Sequence, residues 1–132
     1  MQMTEMIDVV QQRAGIDSDE TAQETLQAVA ETLAERDLDG AHDNFAAQLP
    51  EEIAPVVKQG DKNSREKFDA DEFVNRVGKR LGTADNDTQA RTHAALSTLA
   101  EAVSDGEQLD LLSALPKDLS PYAVWKANAK PS

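Results

Sequence analysis

No cysteine occurs among the 132 residues, which excludes disulfides, thiolate metal sites and thiol catalysis together. Aromatics make up 4%, with one Trp, one Tyr and three Phe, so a core must be built mainly from Leu, Val and Ala. No apolar run is long enough to span a bilayer, and the residues after Met1 lack the basic and apolar pattern of a signal segment. A cytoplasmic protein that does not enter membranes is expected. Basic residues are also scarce. Thirteen Lys and Arg stand against 25 Asp and Glu, giving a net charge of −12. With the basic residues scattered, nucleic acid finds no electrostatic footprint, and an anionic membrane repels the chain. The acidity fits a surface kept solvated in concentrated salt, ordinary colloidal repulsion, or nucleic-acid mimicry. None of these names an activity. There is no Gly-x-Ser-x-Gly elbow and no glycine-rich phosphate loop, which argues against the common hydrolase and nucleotide-binding classes.

What the chain does contain is a repeat. Thr32-Leu33-Ala34-Glu35, Asp39-Gly40 and Leu49-Pro50 return 66 positions later as Thr98-Leu99-Ala100-Glu101, Asp105-Gly106 and Leu115-Pro116. Val10, Arg13 and Gly15 return as Val77, Arg80 and Gly82 at an offset of 67, so one residue was gained or lost between. A long period seen twice reads as a duplicated supersecondary unit. Positions kept in both copies are expected to be structural.

Helical spacing organises each copy. Met3, Met6, Ile7, Val10 and Ala14 make one stripe ending at Gly15. Asp17 with Glu20 is the expected cap of a second helix, whose face is Ala22, Leu26, Val29, Ala30 and Leu33. A turn at Asp39-Gly40 leads to a short helix carrying Phe45, Ala46 and Leu49, stopped by Pro50. Polar residues 59–65 read as linker. In the second copy Asp69 and Glu72 cap a helix bearing Phe73, Val77 and Leu81, which Gly82 ends. Asn86 and Gln89 are expected to open the next, with Leu96, Leu99, Ala100 and Val103 inward. Ser104 and Glu107 cap a segment with Leu109, Leu111, Leu112 and Leu115, and Ser120-Pro121 starts a last helix near Tyr122 and Trp125. No stretch alternates as a strand. The expected fold is all-α, a tandem repeat of two three-helix units (about 3–58 and 68–128, linker 59–67) packed as one bundle around a pseudo-twofold.

Val10-x-x-Arg13-x-Gly15, the helix from Leu26 to Glu35 ending Leu-Ala-Glu, and Ala47-Gln48-Leu49-Pro50-Glu51-Glu52 together resemble the bacterial and archaeal family called domain of unknown function 2267. The second copy matches through Phe73 to Val77, Leu96 to Glu101 and Ala114-Leu115-Pro116, so the resemblance runs from about Met3 to Trp125. It implies an all-helical two-repeat protein without an assigned activity. The family's aromatic-rich segment after the first Leu-Pro is replaced here by Val56-Val57-Lys58-Gln59-Gly60-Asp61.

Four Asp-x-Asp pairs (17/19, 37/39, 69/71 and 85/87) could hold a hard cation, but none sits in a loop with the ligand number calcium needs. Their places near helix starts suit capping. His42 and His93 stand where the other copy has Gln108 and Gln27, so neither belongs to the shared scaffold. Both read as exposed helix residues, too few for zinc. No catalytic residue, cofactor or specific metal is expected. The functional reading is a protein-interaction or scaffold module that binds a partner or itself through an apolar patch, with Phe45, Leu111, Tyr122 and Trp125 as anchors. The alternative is a metal- or small-molecule-dependent enzyme, or a ligand-binding bundle, using scattered Asp and His.

Overall fold

The structure, a computed structural model, describes residues 1–60 and 66–126. Most of the expected linker (61–65) and the end of the second repeat (127–128) lie outside the described residues. The helices are α1 (Met3–Ala14), α2 (Asp19–Glu35), α3 (His42–Ala46), α4 (Ala54–Lys58), α5 (Ala70–Leu81), α6 (Asp85–Glu101) and α7 (Asp105–Ala114), followed by a 3-10 turn at Ser120–Ala123. No strand forms among the described residues, and the fold is all-helical; an isolated parallel bridge pairs Arg36 with Glu66.

Local chemistry accounts for most of the helix ends. Gly15 and Gly82 close α1 and α5 in the left-handed conformation, at φ of 67° and 69°. A residue with a Cβ would be strained there by about 1–2 kcal/mol. Asp69 caps α5 through Glu72 N–H at 3.0 Å, and Ser104 caps α7 through Glu107 N–H at 3.4 Å. Two expected starts are corrected. α2 is capped by Ser18, whose Oγ accepts from Thr21 N–H at 3.2 Å, because the helix begins one residue later than an Asp17–Glu20 box requires. α6 starts at Asp85, behind Ala84, without a side-chain cap. There Asp85 and Asp87 meet the positive end of the helix dipole.

α6 is the centre of the molecule. An unbroken run from Thr92 to Ala100 is buried, so the helix is enclosed on every face instead of along one stripe. α1, α2, α5, α7 and the 3-10 turn all pack on it. Its small side chains let these neighbours approach, and its buried hydroxyls bond to its own backbone except that of Thr92, which has no partner among the described residues. Ser97 and Thr98 donate to the Ala94 carbonyl at 3.1 and 2.7 Å. α2 does the same with Thr25 and Thr32, which donate to the Thr21 and Ala28 carbonyls, both at 2.8 Å.

Both histidines are buried, contrary to the expectation of exposure. His42 Nε2 lies 2.9 Å from the Leu33 carbonyl, and the Gly60 backbone packs so close that a Cβ there would come within 2.4 Å of the His42 ring. Leu109 points outward at 64% exposure while Leu111 and Leu115 are buried. A helical turn puts Leu111 and Leu115 on one face and Leu109 on the opposite one.

An arginine nest and its open counterpart

Arg13 and Arg80 occupy the last turns of α1 and α5, two residues before the closing glycines, where a cation meets the negative end of the helix dipole. Arg13 donates to Ser97 Oγ at 3.0 Å, Thr98 Oγ1 at 3.5 Å and Glu101 Oε1 at 2.7 Å, all on α6. Arg80 donates to Thr32 Oγ1 at 2.8 Å and Glu35 Oε2 at 2.6 Å, and lies 3.6 Å from Glu31 Oε1, all on α2. Positions 31, 32 and 35 become 97, 98 and 101 on adding 66. Each arginine therefore grips the same three positions of the long helix belonging to the other half of the chain. The contacts are thus exchanged, i to j′ and i′ to j, between equivalent positions of the two sequence-similar halves.

The surroundings of the two arginines differ. Over Arg13 lies the Trp125 ring, its centroid 5.0 Å from the guanidinium carbon. His93 backs the indole at 4.5 Å between ring centroids, and Tyr122 meets His93 edge-on at 6.2 Å. His93 Nε2 sits 2.8 Å from the Val124 carbonyl and must carry the hydrogen, since a carbonyl only accepts. Burial pushes the His93 pKa below its ordinary value; the Val124 hydrogen bond opposes this and the Arg13 charge adds to it. The result is a closed nest that fastens the end of the described chain to α1 and α6.

In the other half the positions equivalent to His93, Tyr122 and Trp125 are Gln27, Val56 and Gln59. Among the described residues no ring covers Arg80. In its place is an open cleft of about 510 Å³, lined by Gln27, Glu31, Glu35, Val56, Gln59 and Arg80, with Ala34 and Glu66 completing it. It runs past Arg80 into a second hollow of about 490 Å³ between α2 and α5, bordered by Glu20, Gln23 and Glu24. The Arg80 side chain is 28% exposed against 15% for Arg13, so the uncovered guanidinium is the more accessible. Arg80's hydrogen bond holds the Glu35 carboxyl below its ordinary pKa, against a smaller upward push from burial. Beside it Arg76 contacts Glu35, Glu66 and Glu72 at 3.4, 2.5 and 2.7 Å and stacks over Phe68 at 4.0 Å, which stiffens one wall.

The anchors expected from sequence do not come together on one surface. Phe45, Leu111 and Tyr122 are 1%, 0% and 6% exposed and pack as core, since each is a large apolar body that the bundle can enclose. Trp125 is half-buried in the Arg13 nest. Of the Asp pairs, Asp69 caps α5, Asp37 Oδ1 accepts from Asp39 N–H at 2.9 Å, and Asp39 pairs with Lys67 at 3.4 Å. Among the described residues no group of three His, Cys, Asp or Glu side chains could hold a metal, and no helix is long and apolar enough to cross a membrane. The Arg80 cleft escapes a reading of the sequence that treats repeated residues as scaffold. It becomes visible when Pro55 is aligned with Pro121, which sets Gln59 opposite Trp125.

None of the curated proteins matches this chain. The family model described as "Uncharacterized conserved protein (DUF2267)" matches residues 3–122, a span that includes both arginine grips, and the chain belongs to that family.

Proposed function

We propose that this protein is a non-enzymatic interaction module of the cytoplasm, a duplicated helical unit with a pseudo-twofold core that offers the Arg80 cleft to a protein partner. One observation carries the reading. Of two arginines held at equivalent positions by the opposite half, Arg13 is covered by Trp125, and among the described residues no ring covers Arg80. A half-buried, hydrogen-bonded Arg13 serves the fold. Arg80 combines the same rigid positioning with access from solvent, which is what recognition requires of an anchor. The cleft is lined by α2, by Val56 and Gln59 at the end of α4, by Glu66 and by Arg80 of α5, and α2, α4 and α5 pack on the core, so most of the site is formed before a partner arrives.

The test places a photo-crosslinking residue at position 59, inside the cleft, or at position 109, on exposed α7, in living cells. A discrete adduct is expected from position 59 and not from 109. The adduct partner, identified by mass spectrometry and purified, should bind the natural protein and lose most of its affinity for Arg80→Ala. Equal adducts from both positions, or a purified partner indifferent to Arg80→Ala, would overturn the reading.

A further inference from the structure

We infer that the Arg80 cleft receives a tryptophan side chain carried on a basic segment of a partner protein, an inference that rests on the cleft being the docking site. The molecule holds its own template for the occupant. Gln27, Glu31, Glu35, Val56, Gln59 and Arg80 around the cleft stand at the positions of His93, Ser97, Glu101, Tyr122, Trp125 and Arg13 in the nest, and of the three rings the cleft lacks, the indole is the one that lies on the arginine. Arg80 presents its guanidinium on Thr32 and Glu35, the equivalents of the Thr98 and Glu101 that hold Arg13 beneath Trp125. Tryptophan is the best ring for a cation of this kind. Glu31, standing where the nest has Ser97, also brings a carboxylate that an indole N–H can use.

Charge selects the flanks. Glu20, Glu24, Glu31, Glu35 and Glu66 border the two hollows, and the chain as a whole carries −12. Lys or Arg beside the tryptophan is drawn in and an acidic segment is turned away. The internal template follows the same rule, with Lys126 directly after Trp125. A cleft of about 510 Å³ accommodates an indole and a few flanking atoms, within the usual ligand range of roughly 300–1,000 Å³. A second copy of this chain is the poorer donor. Its only Trp is engaged on Arg13, and moving it to Arg80 would vacate an equivalent nest for no net gain in contacts.

Isothermal titration of the whole protein with a peptide copying residues 116–126 tests this, because that segment is the known occupant of the closed nest. Binding is expected, weakened about tenfold or more when the peptide's Trp is replaced by Ala, which is at least about 1.4 kcal/mol. Arg80→Ala should weaken it to a similar degree. Gln59→Trp, which supplies the missing ring from within, should remain folded and abolish binding. A Trp→Ala peptide that binds as well, or binding that persists in Gln59→Trp, would overturn the inference. Self-association of the natural protein that Gln59→Trp abolishes would overturn the partner as the source of the indole. Failure of the peptide while position 59 still crosslinks would reject tryptophan and leave the cleft standing; loss of both would reject the cleft itself.

Discussion

In the second half of the chain Trp125 closes over Arg13 with His93 behind it; in the first, Gln59 and Gln27 stand at those positions and Arg80 faces a cleft. The arginines, their threonine and glutamate partners and the terminating glycines are alike. The lesson is a division of labour between two sequence-similar halves. Residues kept in both copies interlock the halves, and residues that differ decide whether the shared grip is sealed or open. A second difference makes the same point about local structure. Asp105-Gly106 lies in the first turn of α7, whereas Asp39-Gly40 forms a left-handed turn with φ of 54° and 84°. The preceding residue decides: Ser104 caps a helix, while its equivalent Leu38 is buried in the core and cannot.

The largest effects should come where the halves are alike. Leu33 and Leu99 are both fully buried at equivalent positions. Truncating either to Ala should cost about 2–5 kcal/mol, read by urea unfolding as a single transition in each case. Two separable transitions would break the picture of one shared core.

Next is the contrast between the arginines. Arg13→Ala removes three side-chain hydrogen bonds and the ring contact beneath Trp125 and should cost about 2–3 kcal/mol. Arg80→Ala, at a more exposed grip, should cost about 1 kcal/mol. Thermal melts of the two variants compare them directly; equal losses would mean that the nest adds nothing to the grip. Of similar size to the latter, Ser18→Ala and Ser104→Ala should each cost about 1 kcal/mol by removing the caps of α2 and α7.

The smallest effect is a pH dependence that near pH 6 comes from His93. The folded-state pKa of His93 lies below its ordinary 6.5 because burial disfavours the charged ring. Between the two values the unfolded chain binds more protons, so stability is complete above about pH 6.5 and is lost as pH falls toward the folded value. His93→Gln, which installs the residue of the other half, should flatten melting temperature against pH in that window. Glu35 acts lower down. Its pKa is depressed below 4.5, chiefly by Arg80, so its contribution is present above that pH and is lost below it.

Much of the fold was legible in the chain. The stripe from Met3 to Val10, the glycine stops and the Asp69 and Ser104 caps follow from spacing and backbone chemistry, and the structure shows them. The central role of α6 was not legible, because Ser97 and Thr98 look polar in sequence and are buried by bonding to their own helix or to Arg13, and Thr92 is buried with its hydroxyl unpaired among the described residues. The histidines went unread for a related reason: each is buried beside a distant backbone carbonyl that no local pattern reveals. The site was half legible. Arg13 and Arg80 stand out as repeated residues, but their contacts cross between halves, and a linear repeat does not say which half an arginine will grip.

The most direct measurement is the emission of a single tryptophan placed in the cleft, in Gln59→Trp on a Trp125→Phe background. If the cleft is an open nest, its spectrum and quenching by acrylamide should match those of Trp125 in the natural protein. Emission and quenching like those of free tryptophanamide, in a protein that is still folded, would contradict the equivalence on which the account depends.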